Sequence, residues 1–211
     1  MKSLFLSVFV FAAACAPIIS VQAQNPQLTA LSYPLSGITL KGNIEIADFS
    51  TEKWTSPALN LVQDDNKFGG SFESPSGTVQ VTGEFVPKED SVEVTFSWSA
   101  PSDLPPTSFF VNFRFDTEVL SGASLTSQAQ SIPLEQVLTG DLRGYFPNAA
   151  EFSLGPIEGK TLTVTPETPA KVEALFYRTW TVRFIAAGSP QSSSKEPVSA
   201  NGKTTFTVSF K

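Results

Sequence analysis

The chain has no histidine and a single cysteine, Cys15, in 211 residues. Without an imidazole it cannot run serine–histidine–aspartate catalysis, use a histidine base or bind zinc or copper through histidine. Beyond Cys15 there is no disulfide, thiolate metal site or cysteine nucleophile. Positive charge is scarce as well. Fourteen Lys and Arg face 20 Asp and Glu, for a net charge of −6, and no basic stripe offers itself to a phosphate backbone, so no nucleic-acid partner is expected. Glycine-rich phosphate loops, serine-nucleophile elbows and metalloprotease helices are missing too. No cofactor is expected.

Long apolar runs are limited to Leu4–Ala14, which is too short and too early to span a membrane. Met1-Lys2 before it and Val21-Gln22-Ala23 after it complete a secretory signal, with cleavage expected after Ala23. Ala13-Ala14-Cys15 supplies an alternative, a bacterial lipoprotein signal lipidated at Cys15, although Ala16-Pro17-Ile18-Ile19 continues the apolar stretch where such signals turn polar. The expected location is secreted, periplasmic or at the cell surface, with membrane contact only if Cys15 is lipidated. The expected organisation is a signal peptide over 1–23, a flexible leader over 24–31 and one domain over 32–211.

What the chain does have is alternation. In Val92–Trp98, Val92, Val94, Phe96 and Trp98 fall on one face and Glu93, Thr95 and Ser97 on the other. After the proline-rich link Ser99–Pro106 the pattern resumes, with Phe109, Val111, Phe113 and Phe115 opposed by Phe110, Asn112 and Arg114. A period of two in successive runs marks half-buried strands. Similar runs recur through the chain: Ile38/Leu40 and Ile44/Ile46 with Gly42-Asn43 as a turn, Val79–Phe85, Leu162/Val164, Val172–Phe176, Trp180–Phe184 and Phe206–Phe210. Ile132–Leu138 is the one passable helix, a turn or two long. The fold expected is an all-β, antiparallel two-sheet β-sandwich, jelly-roll-like, with about a dozen short strands and at most one short helical turn. Val92–Phe115 reads as scaffold, without chemistry of its own.

Four places could carry function. The stretch Asp141–Asn148 reads as a loop that gathers Asp141, Arg143, Tyr145 and Phe146. Aromatic faces stack on sugar C–H surfaces while charged groups take hydroxyls; the plainer reading is a loop that plugs the core. Trp54 has polar neighbours and reads as exposed, whereas Trp98 and Trp180 are in phase with a core. Asp64 and Asp65 offer oxygens to a calcium ion but lack the spacing of a helix–loop–helix calcium site, so a hairpin turn explains them as well. Carboxylate pairs, Asp116 with Glu118 on one strand face or Glu84 with Glu93 across a hairpin, could serve glycoside hydrolysis, though any acidic β protein offers such pairs.

The order of the second half resembles the accessory β-sandwich domains found beside glycoside hydrolases in secreted bacterial proteins. The residues that carry the resemblance are Phe109–Phe115, the turn Ser121-Gly122-Ala123, Thr179–Phe184 and Thr205–Phe210. It implies a polysaccharide-related role and transfers no functional residue. The expectation is then a secreted, non-catalytic binding or cell-surface module, not an enzyme, with polysaccharide or another surface protein as partner. The alternatives are an assembly protein that uses its sheet edges and a hydrolase with paired carboxylates.

Overall fold

The computed structural model describes residues 31–51, 55–139, 144–177, 179–188 and 196–211. They form an antiparallel two-sheet β-sandwich, as the alternation predicts. In chain order the strands are β1 Leu31–Leu35, β2 Ile38–Asp48, β3 Asn60–Asp64, β4 Lys67–Ser74, β5 Gly77–Pro87, β6 Ser91–Ser99, β7 Thr107–Phe115 and β8 Ser124–Ser127. They continue with β9 Gln130–Pro133, β10 Gly144–Ala149, β11 Phe152–Ile157, β12 Lys160–Pro166, β13 Ala170–Tyr177, β14 Thr179–Gly188 and β15 Asn201–Phe210. A 3-10 turn (Thr117–Leu120) and the one-and-a-half-turn helix α1 (Leu134–Thr139) are the helical elements described.

The six-stranded sheet has the order β1-β2-β7-β14-β13-β10, and the nine-stranded sheet β3-β4-β5-β6-β15-β12-β11-β8-β9. Between them lies one continuous apolar core. The β6 face Val92, Val94, Phe96 and Trp98 is buried there, and each such side chain contributes on the order of 1.5–3 kcal/mol. Trp98 stacks on Phe109 across the sheets at 4.7 Å, and its indole N–H donates to the Ser199 carbonyl at 3.0 Å. The ring lies flat over Gly202, where a Cβ would come within 1.9 Å of it. Trp180 is buried as expected.

Several local expectations are corrected. Gly42-Asn43 is not a turn, because β2 runs straight through it. The turn sits earlier, at Ser36-Gly37, both with positive φ, as a two-residue hairpin requires. Gly42 is needed instead for close approach: a Cβ there would lie 2.4 Å from the backbone carbonyl oxygen of Asn112 on β7. Asp116 and Glu118 do not share a strand face; they lie at and in the 3-10 turn, both exposed. Glu84 and Glu93 are not directly opposed, since the register pairs Glu84 with Thr95 and Glu93 with Val86. In the Ser99–Pro106 link, Leu104 is fully buried and bridges to Val198, while the Asp103 carboxylate accepts the Ala200 N–H at 2.9 Å. That link closes the core.

Candidate functional site

Tyr145 and Phe146 lie on a strand, β10, so consecutive side chains point to opposite faces. Phe146 turns inward and is part of the core, which removes it as a ligand contact. Tyr145 turns outward and is 45 % exposed. Trp54, Asp141 and Arg143 lie outside the described residues, as do Cys15 and Ala23. Asp64 and Asp65 belong to the β3–β4 hairpin end in the other sheet, both exposed, with Asp65 at a φ of 54°. No group of three or more Asp, Glu, His or Cys among the described residues is placed to share a metal ion.

The outward position of Tyr145 is the end of a row. Tyr145 pairs with Glu173 on β13, Glu173 with Arg183 on β14, Arg183 with Asn112 on β7, and Asn112 with Asn43 on β2. Directly paired residues of antiparallel strands share a face. All five therefore project from the side of the six-stranded sheet that faces away from the core. Glu45, Phe110 and Ile185 form the adjacent row, and Arg114 and Thr181 the one on the other side.

The charges in these rows are tied together. Arg183 reaches Glu173 through Nε at 2.9 Å and Nη2 at 2.8 Å, a two-pronged contact, and approaches Glu45 through Nη1 at 3.7 Å. Lys171 meets the other Glu173 oxygen at 2.8 Å. Burial pushes the Glu173 carboxyl upward. The hydrogen bond from Lys171 and the charge and hydrogen bond of Arg183 outweigh it and hold the group below its ordinary value. Glu173 is thus an ionised acceptor. The Arg183 guanidinium lies over the Phe110 ring at 4.3 Å, and the Lys171 ammonium is 5.1 Å from the Tyr145 ring centre.

Asn112 is the floor of this arrangement, 1 % exposed. Its amide nitrogen donates to Glu45 Oε2 at 3.1 Å and to Asn43 Oδ1 at 3.4 Å. Those two acceptors fix the amide's orientation, because reversing it would set a carbonyl against a carboxylate. The carbonyl oxygen Oδ1 is left buried and without a hydrogen-bond partner, as is Arg114 Nε two residues along β7. A buried polar atom without a partner costs about 1–3 kcal/mol, so two on one face are an unmet demand for hydrogen bonds.

By contrast, the void between the sheets is apolar and about 30 Å³ in volume, water-sized at most. Of the four places singled out from sequence, only Tyr145 lies in the described polar row. Glu173, Arg183 and Asn112 were missed because each sits at an outward position of an alternating strand, where polar residues are unremarkable. Their chemistry was the available signal. Asn, Arg and Glu stand on outward faces in a chain whose other outward positions are mostly Ser and Thr.

No family model matches the sequence, and no curated protein matches it. Solved structures do share its fold. One, assigned as an aldose 1-epimerase from Escherichia coli K12, superposes with a TM-score of 0.50 over 73 % of this chain and 68 % of its own, at 10 % identity. Another, a galactose mutarotase related enzyme from Lactobacillus acidophilus, gives 0.51 over 86 % of this chain and 90 % of its own, at 6 % identity. At such identity the likeness is one of fold. The resemblance to sugar-related β-sandwiches holds at that level, while these neighbours are epimerase-like chains and not accessory domains of glycoside hydrolases. The expectation of a non-catalytic module, and the exclusion of enzymatic function, are corrected by the same finding: these neighbours carry the names of enzymes acting on sugars. The absence of histidine, and of any cysteine after Cys15, excludes particular mechanisms. Carboxylates, arginine and lysine still suffice for acid–base chemistry on a hydroxyl.

Proposed function

We propose that this chain is a carbohydrate-processing enzyme, with its site on the outward face of the six-stranded sheet around Asn112, Arg183, Glu173 and Glu45. The observation that carries the reading is the buried, unpartnered Asn112 Oδ1 in the floor of a row that ends at the exposed Tyr145. A sugar would set a hydroxyl on that carbonyl, and Tyr145, three strand spacings or about 14 Å across the sheet, would take the ring face of a second sugar unit. The fold shared with a protein assigned as an aldose epimerase and with a mutarotase-related enzyme supports this reading. The expected signal peptide would have it act outside the cytoplasm.

The reaction proposed is interconversion of the anomers of an aldose. Ring opening needs a proton taken from the anomeric hydroxyl and one given to the ring oxygen. Glu173, held ionised by two cations, accepts a hydroxyl hydrogen bond and orients the sugar. Glu45, with the longer contact to Arg183, is the base. Arg183 sits between the two carboxylates and stabilises the oxyanion as the O–H bond breaks. The ring oxygen takes its proton from solvent water at this open face, because Lys171 and Tyr145 lie three and four strands from Glu45.

The test is polarimetry of freshly dissolved α-anomers of galactose and glucose with the mature chain. Approach to equilibrium should be faster than in buffer alone, and Glu45→Gln should abolish the acceleration. A rate equal to buffer for every aldose tried would sink the proposal.

A further inference from the structure

The outward face has more positive charge than its carboxylates use. Glu173 is taken by Lys171 and Arg183, and Glu45 by Arg183. Arg114 projects from the same face, two residues beyond Asn112 and beside Thr181. Among the described residues its side chain has no ion pair and no hydrogen bond, and its Nε is fully covered. Lys41, two residues before Asn43 on β2, shares that face and also has no carboxylate partner among the described residues. A guanidinium keeps its charge at any accessible pH, and a half-buried one with no counterion is unfavourable. The chain as a whole is acidic, at −6, so a diffuse attraction for anions is not what places these cations here.

We infer that the sugar taken by this face carries an anionic group, a carboxylate or a phosphate ester, held by the Arg114 guanidinium. Asn112 Oδ1 accepts a hydroxyl of the same molecule. Carboxylate and phosphate oxygens both match the planar fork of arginine, which makes them one chemistry from two sources. Arg114 and Asn112 are about 7 Å apart along β7 at the rise of an extended strand, so one sugar derivative spans both. This inference rests on the proposed carbohydrate site and narrows its substrate class.

The experiment is isothermal titration calorimetry of the mature chain with galactose, galacturonate, galactose 6-phosphate and inorganic phosphate, alongside polarimetry with the first three. At least one anionic sugar should bind tenfold or more tightly than galactose, and which one identifies the source. Arg114→Gln should narrow that preference about tenfold, and Arg114→Lys should restore part of it. Equal binding of neutral and anionic sugars by the wild type overturns the inference without recourse to any variant. So does a preference that survives in a folded Arg114→Gln. Inorganic phosphate bound as tightly as the sugar phosphate would also overturn it, leaving an anion site without sugar recognition. If galactose is interconverted with no anionic preference, only this inference falls. If no sugar is bound or interconverted, the proposed enzyme falls with it.

Discussion

The two outward faces of the sandwich obey different rules. On the nine-stranded sheet, β6 alternates strictly, and its outward Glu93, Thr95 and Ser97 are half-exposed. Thr82 and Glu84 on β5 and Lys203 on β15 are exposed, around a shallow polar groove of about 280 Å³. On the six-stranded sheet, the first seven residues of β7 are all buried, so Phe110 and Asn112 are as covered as the core side chains beside them. The first face is what a half-buried antiparallel sheet leaves over when its apolar side is satisfied. The second holds a partly buried ion network, apolar Ala47, Phe110 and Ile185, and two unpartnered polar atoms. A strand buried on both sides that still carries Asn and Arg is spending stability on something other than packing.

Substitutions on the two faces should therefore separate by size. Arg183→Met should have the largest effect. It leaves Glu173 buried with Lys171 as its remaining partner, and should destabilise the chain by about 3 kcal/mol in urea unfolding while abolishing any sugar response. Asn112→Ala should come next. It removes the donor to Glu45 but also deletes the unpartnered carbonyl, so a loss of only about 1 kcal/mol is expected, with a disproportionate loss of sugar binding. A loss of binding no larger than the loss of stability would make Asn112 merely structural.

Acidification gives a third comparison. Glu173 titrates lower in the folded chain than in the unfolded one. The unfolded state therefore binds the proton first, and the stability contributed by the network is present above the ordinary carboxylate value of 4.5 and is lost as pH falls below it. Urea midpoints measured from pH 6 to pH 3 should show a steeper fall for the wild type than for Glu173→Gln; parallel curves would remove the network's role. The smallest effect belongs to the other sheet: Thr82→Val should change stability by no more than about 0.5 kcal/mol and leave sugar binding alone.

The sandwich was legible because its core uses one residue type at one period. Val92, Val94, Phe96 and Trp98 announce β6 whatever lies across from them. Gly42 was misread because a glycine before an asparagine is a turn signal locally. Only the approach of the Asn112 carbonyl, from a strand far along the chain, makes it a strand glycine. Of the candidate site, Tyr145 alone was singled out from sequence, and then as a loop residue and not as the outward end of a strand row. The remainder was not, because Asn112 sits in the stretch that reads most plainly as scaffold. Its place in the candidate site comes from its neighbours across the sheet, and register is not written in any single strand.

The strand order also governs when the row can exist. Glu173 and Arg183 are ten residues apart on one hairpin, so their contact closes a small loop and can form early in folding. Asn43 and Asn112 are 69 residues apart, and β14 joins β7 only after most of the chain has been synthesised. Such high contact order slows folding, and it makes the row a property of the whole sheet. A fragment ending before β14 would contain β2 and β7 in full and still have no counter-charge for Glu45. Activity, if regained on refolding, should therefore return with the last cooperative phase and never ahead of it.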